Sequence, residues 1–302
     1  MRITNRMISD RVLFNIQTSL KRIAKLHDQL SSGYKVRYPS DDAVVATRAS
    51  NIGAIKREID QFKRNVDHVK NYVNAYDSVL REISGIYHRI RELLIRGANG
   101  TMSQDERMAI AHELEKILDS LAGIANMRIG EERIFGGADF DKNPVEKVNG
   151  YWTIVLDPDA NISRKVEVLG YKLEYGLTVY DLFRTDNGFD VFQMLRDTID
   201  VLKRNPENVE KYLSNISLKQ LSLFEDKLME SVAKVGASMK VMEFLETRTN
   251  DLKIFITEYL SKEMDADITE VLADLSMQQA VLQAALKSAA RVIQNTLVDY
   301  VR

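Results

Sequence analysis

The feature that most constrains this chain is an unbroken heptad alternation. Ile52, Ile55, Ile59, Phe62, Val66, Val69, Val73, Tyr76, Leu80, Ile83, Tyr87, Ile90 and Leu94 follow one another in alternating steps of three and four. That spacing places all of them on one stripe of a single helix, and a stripe of this period demands a second helix wound against it in a left-handed supercoil. At about 1.5 Å per residue the helix is roughly 65 Å long, against a diameter of roughly 50 Å for a compact sphere of this many residues. The expected shape is a helical rod.

A partner stripe exists near the other end of the chain: Leu221, Phe224, Leu228, Val232, Val235, Met239, Met242, Thr249, Leu252, Ile256 and Tyr259, with a wobble where Leu245 or Glu246 should sit. Neither helix can bury its stripe alone, so the two are expected to pair antiparallel. Asn99, Gly100 and Thr101 form a turn, after which Ala111, Leu114, Leu118, Leu121 and Ala125 carry the same spacing onto a shorter helix. Phe135, Gly136 and Gly137 read as a helix stop. Beyond it, Pro144, Gly150, the alternating Tyr151, Thr153 and Val155, and the apolar runs around Val166 and Tyr171 read as strands. Helix is expected again from Asp190. The predicted fold is mainly α, a long antiparallel coiled-coil rod built from the N- and C-terminal halves with a small β-rich insertion.

The two extremities repeat the pattern on a smaller scale. Leu13, Ile16, Leu20, Ile23, Leu26 and Leu30 make an N-terminal stripe; Leu272, Leu275, Leu282, Leu286, Ala289, Ile293 and Thr296 make a C-terminal one, interrupted by Gln279, with Leu297 just beyond. Arg2, Arg6, Arg11, Lys21, Arg22 and Lys25 make the first segment basic, while Glu263, Asp265, Asp267, Glu270 and Asp274 make the second acidic, which favours their meeting. Each end has too few apolar side chains to offset its own ordering entropy, so folding upon assembly is expected. The domain reading is therefore 1–45 and 261–302 as terminal coiled-coil helices for axial assembly, 46–135 and 190–260 as helical rod, and 136–189 as β-rich outer insertion.

Little in the sequence supports chemistry. A net charge of -2 does not suit a nucleic-acid binder, and the absence of cysteine removes disulfides, thiolate metal sites and thiol catalysis. Met1 to Leu20 lacks the apolar core of a cleaved secretory leader, and no run is long enough for membrane insertion. His112 and Glu113 begin a zincin-like pair that Lys116 breaks, and Asp157, Asp159 and Asn161 imitate a calcium loop that Ile162 and Val168 break. Asp41 and Asp42, ahead of an apolar helix, read as caps rather than as an acid–base pair. No catalytic, cofactor-binding or metal-binding residue is expected, and the chain is not expected to be an enzyme.

The segment Leu30, Ser31, Ser32, Gly33, Tyr34, Lys35, Val36, followed by Pro39, Ser40, Asp41, Asp42 and Ala43, resembles the N-terminal signature of bacterial flagellins and their relatives. Within that superfamily, Met1 to Thr4, Met7, the stretch Ser40 to Arg48, the turn Asn99 to Thr101, Ile134 to Gly137 and the ending Thr296 to Tyr300 are similar to the hook-filament junction family. The resemblance implies a layered structural subunit of the flagellum. It also implies export through the flagellar type III apparatus without a cleaved leader. The partners it implies are hook-associated protein 1 below, flagellin above, sister copies in a ring, and a cytoplasmic export chaperone on the C-terminal helix. A filament flagellin and a cytoplasmic coiled-coil scaffold are the alternatives. On the stripe pattern, Leu13, Ile16, Leu20, Ile23, Leu26, Leu30, Leu275, Leu282, Leu286, Ala289, Ile293 and Leu297 are the candidate assembly residues.

Overall fold

The computed structural model describes residues 5–184 and 188–300, and the side chains of all of these except 5, 6, 8, 9 and 291–300. Met1 to Thr4 therefore lie outside the described residues, as do the side chains of Arg6, Ile293, Thr296 and Leu297. The chain is mainly α-helical. Helices α1 (Asn5–Ser32), α2 (Ala43–Gly97) and α3 (Gln104–Ala125) come first. Three short hairpins follow: β1–β2 (Arg128–Ile129, Glu132–Arg133), β3–β4 (Val145–Val148, Tyr151–Ile154) and β5–β6 (Lys165–Val168, Tyr171–Glu174). Then come α4 (Val179–Phe183), α5 (Val191–Arg204), α6 (Val209–Tyr212), a π turn at Leu213–Ser217, α7 (Leu218–Met264) and α8 (Ile268–Tyr300). Contacts divide the chain into two units, Gln61–Asn250 and the combination of Met1–Asp60 with Asp251–Arg302.

In the Gln61–Asn250 unit, α2 and α7 run antiparallel. As the α2 partner advances from Lys63 to Lys70 to Tyr87, the α7 partner retreats from Asn250 (2.9 Å) to Glu246 (2.6 Å) to Glu225 (2.5 Å). The α2 stripe is buried from Val66 to Leu94, and Tyr72, Val79 and Leu93 are buried beside it. The buried face is thus wider than one seam, because α3, α5 and the hairpins cover α2 beyond its contact with α7. An unbroken series of ring contacts ties these elements together: Tyr76 to Phe135 at 5.8 Å, Phe135 to Phe183 at 6.1 Å, Phe183 to Phe192 at 5.3 Å and to Phe224 at 6.1 Å, and Phe224 to Tyr87 at 6.4 Å. Val145, Leu156, Val168 and Leu177 join this same cluster, so the hairpins share the helices' core.

The α7 seam differs from its sequence reading in a way that explains the wobble. Its buried positions are Leu221, Phe224, Leu228, Ser231, Val235, Ser238, Met242, Leu245 and Thr249, a heptad alternation without a break. Val232, which looked like part of the stripe, is 41% exposed. The pattern was hidden because Ser231 and Ser238 are small polar residues at seam positions; the Ser238 hydroxyl satisfies itself on the Lys234 carbonyl at 3.0 Å.

Local chemistry sets the ends of several elements, with one exception among the stops read from the sequence. Ser103 caps α3 in a reciprocal capping box with Glu106, and Asp190 caps α5 by accepting from the Phe192 amide at 2.9 Å. The exception is Gly136–Gly137, which does not stop a helix: α3 ends earlier, at Ala125, and β1–β2 intervenes. Ile134 and Phe135 are core residues, and Gly137 (φ +59°) presses its Cα against the Ala160 backbone, where an added Cβ would stand 2.2 Å from the carbonyl oxygen. The glycine serves a close backbone approach. Asp157 caps a single 3-10 turn at Pro158–Ala160, and Asn161 accepts from the Thr178 hydroxyl.

Candidate functional site

The unit made of Met1–Asp60 and Asp251–Arg302 holds the terminal helices and the signature segment. Ile52, Ile59 and Ile256 form its small core, with Leu252 and Leu260 against it, while Arg48 to Glu263 (3.5 Å) and Asp60 to Lys253 (2.7 Å) hold the same antiparallel order. Ile55, nominally on the stripe, is 45% exposed, as is Tyr259 at 41%. The cover over this stretch is thin.

The signature segment is a structural joint. Gly33, at φ +76°, returns its amide to the Gln29 carbonyl at 2.9 Å and ends α1 in the left-handed conformation that glycine adopts without strain. The chain then pairs with the connector between α7 and α8. Tyr34 bridges Asp265, Lys35 donates to the Met264 carbonyl at 2.7 Å, and the Ala266 amide donates to the Gly33 carbonyl at 2.8 Å. The Gln29 side chain closes the joint on the Lys35 carbonyl at 2.9 Å, and Val36 is buried beneath it.

The two adjacent aspartates divide the work. Asp41 accepts from the Tyr38 amide at 3.1 Å and the Arg37 amide at 3.3 Å, and meets Lys25 at 3.2 Å. The backbone hydrogen bond from Tyr38, then Lys25, then the Arg37 amide hold its carboxyl below the usual aspartate value. Asp42 accepts from the Val44 and Val45 amides at 2.9 and 3.0 Å, capping α2 against its N-terminal dipole. Asp267 caps α8 in the same way, through Thr269 at 2.8 Å and Glu270 at 3.3 Å.

Beyond this joint α1 and α8 pack against each other, antiparallel because the end of α1 meets the start of α8. The structure sorts the candidate residues into two sets. Ile16, Ile23, Leu26 and Leu30 on α1, and Val271, Leu275, Leu282 and Ala289 on α8, are buried or half-buried in the seam. Leu13 (56% exposed), Leu20 (49%) and Leu286 (49%) point away from it, together with Phe14, Leu272, Met277 and Val281. Sequence reading took Leu272 for Val271, because adjacent aliphatic residues fit a stripe equally well until one knows which is one step nearer the partner. The opposite charges do not meet as ion pairs across the seam: among the described residues none joins α1 to α8 within 4 Å, and Lys25 and Glu263 pair instead with Asp41 and Arg48.

The arrangement offers surfaces for association. Paired helices with an apolar outer face can associate with further helices, and long apolar side chains left in water favour doing so. Among the described residues no helix is long and apolar enough to cross a membrane.

Comparison with known proteins places this architecture. The description of the bacterial flagellin N-terminal helical region matches residues 3–137. Flagellar hook-associated protein 3 of Salmonella typhimurium is 25% identical over 303 residues, covering 95% of this chain and 96% of the relative. Flagellin FlaB1 of Treponema pallidum is 24% identical over 241 residues, covering 77% and 80%. Among solved structures, FlgL of Xanthomonas campestris superposes with a TM-score of 0.61 at 16% identity, covering 68% of this chain and 97% of that one. Its N-terminal region is thus similar to that of bacterial flagellins, nearly its whole length is similar to flagellar hook-associated protein 3, and its fold is that of the solved flagellar hook-associated proteins.

Proposed function

We propose that the chain is a structural subunit of the bacterial flagellum that joins hook to filament, assembling as a ring between hook-associated protein 1 and flagellin. The observation that carries this is the match to a hook-associated protein 3 over 95% of this chain and 96% of the relative. The division of α1 and α8 into an inner seam and an exposed apolar face supports it, since a subunit of an axial structure needs one face for its own fold and another for its neighbours. In this reading Leu13, Leu20 and Leu286 are interface knobs, and Ile293 and Leu297 join them on the sequence pattern alone. Ile16, Ile23, Leu26, Leu30, Leu275, Leu282 and Ala289 pair the helices that present them. The protein leaves the cell through the flagellar export apparatus, its C-terminal helix held beforehand by a cytoplasmic chaperone. Its role is mechanical and requires no catalysis.

Leu286→Asp tests the reading. The substitution lies on the exposed side of α8, so circular dichroism of the purified chain should be unchanged while cells carrying it lack attached filaments and fail to swim; normal filaments would refute the role. A filament flagellin is the second reading, favoured by the likeness to flagellin FlaB1. Purified subunits of a filament flagellin grow unaided into long filaments, whereas a junction subunit stops at short rings or needs its neighbours.

A further inference from the structure

The face of α1 turned away from α8 carries a chemistry of its own. Lys21, Lys25 and Asp28 lie on it, and the connector adds Lys35, Arg37 and Asp41 to form a cleft flanked by the exposed rings of Tyr34 and Tyr38. Four cations thus face two carboxylates, and Asp41 is already engaged by Lys25. The Lys35 ammonium donates to the Lys262 carbonyl at 3.3 Å, and Arg37 lies over the Tyr38 ring at 5.3 Å. Among the described residues Lys21, Lys35 and Arg37 have no carboxylate within ion-pair distance, so the cleft is open and positive. One heptad toward the N-terminus the same face becomes apolar, with Phe14 67% exposed and Met7 beyond it.

One flank of α8 repeats this order with the opposite charge. From Asp265 to Leu286 the only charged residues are Asp265, Asp267, Glu270 and Asp274. Glu270, Asp274, Met277 and Val281 follow in helical steps of four, three and four, and all four are exposed. They make a surface that is acidic first and then apolar. The bridge of Tyr34 to Asp265 sets the levels: Lys25 stands nine residues before Tyr34, and Asp274 nine after Asp265. The two charged patches are therefore at equal height, and Phe14 and Val281 lie within about a turn of each other farther along. The patches occupy different faces of the same helix pair, so the acidic flank cannot fill the basic cleft of its own chain.

We propose that the α8 flank of one copy seats on the outer α1 face of a second copy at the same height, with Glu270 and Asp274 entering the cleft of Lys21, Lys35 and Arg37, and Met277 and Val281 covering Phe14. This rests on the reading of the chain as a ring-forming flagellar subunit. The occupant is another copy because the complementary charge order is written on the same chain. A copy displaced along the helix axis would set Lys21 against Val281 and lose both matches. The contact joins two different surfaces, so its repetition gives a ring where the rotation between copies closes and an open helix where it does not.

The absence of cysteine from the chain permits a direct test. Lys21→Cys and Asp274→Cys are made in separate full-length copies and co-expressed in a cell lacking the native protein, and its hook-filament structures are isolated and oxidised. Lateral seating gives a disulfide dimer linking the two variants, abolished when Asp274→Cys is replaced by Lys287→Cys, which lies farther along α8. In parallel, Lys21→Glu with Arg37→Glu should abolish ring incorporation, as should Glu270→Lys with Asp274→Lys, and combining all four should restore it. Protein present at the junction with neither crosslink nor charge-swap rescue overturns the contact while leaving the junction role intact. Protein absent from the junction overturns both.

Discussion

Removing one oxygen from the centre of the Gln61–Asn250 unit should change its stability in a way that depends on pH. The Tyr76 hydroxyl is buried and donates to the Ile134 carbonyl at 2.5 Å. Tyr76→Phe keeps the ring and its edge-to-face contact with Phe135 at 5.8 Å, so the packing is preserved. What is lost is the hydrogen bond, and the Ile134 carbonyl is left dry; an unsatisfied buried acceptor costs about 1–3 kcal/mol. Burial also pushes the Tyr76 phenol up to about 12. A pKa raised from near 10 means that the folded state disfavours the phenolate. This stability is fully present below pH 10 and is lost as pH climbs toward 12. The loss is worth up to about 3 kcal/mol at roughly 1.4 kcal/mol per unit. Urea unfolding of wild type and Tyr76→Phe at pH 7 and at steps from 9.5 to 12 measures both effects. The variant should be less stable by about 1–3 kcal/mol at neutral pH, and the gap should close as the wild-type phenol ionises. Equal midpoints at pH 7, or two curves that stay parallel to pH 12, would refute the placement of this hydroxyl.

Other expectations follow from the same geometry. Gly137→Ala sets a methyl group 2.2 Å from the Ala160 carbonyl oxygen at a positive φ, and should cost more than the roughly 1–2 kcal/mol of an ordinary left-handed alanine, read as a fall in thermal midpoint. Asp42→Ala removes the α2 cap at an expected cost of about 0.5–2 kcal/mol, while Asp42→Asn should recover most of it in the same melt. Because the Asp41 carboxyl is held below its ordinary value, its contribution is present above the unfolded aspartate pKa and disappears as pH falls through the lower folded one. Asp41→Asn should therefore flatten the acid limb of stability followed by amide exchange at the joint, and an unchanged acid limb would count against that joint.

How much the sequence disclosed depended on the kind of signal. From Val66 to Leu94 the α2 stripe was legible because each seam position carries a large apolar side chain. The α7 stripe was only partly so: Ser231 and Ser238 occupy seam positions without an apolar signature, and Val232 is apolar without being in the seam. Capping was legible at Asp42 because the acceptor stands next to the amides it serves, and the start of α5 near Asp190 was legible as a return of helix. Long-range backbone pairing had no such signal. The bridge from Tyr34 to Asp265 joins segments at opposite ends of the chain, and Gly137 owes its identity to a carbonyl at Ala160 rather than to any neighbour in sequence. The terminal stripes gave the right helices to pair, but the net charges of the two ends suggested contacts that individual side chains do not make.

A junction subunit is defined by where it sits. Gold-labelled antibody against the full chain, applied to isolated hook-filament particles, should decorate a single band at the boundary between hook and filament. Gold distributed along the filament would make the chain a filament flagellin, and particles without gold beside labelled cell interiors would remove it from the flagellum's axial structure.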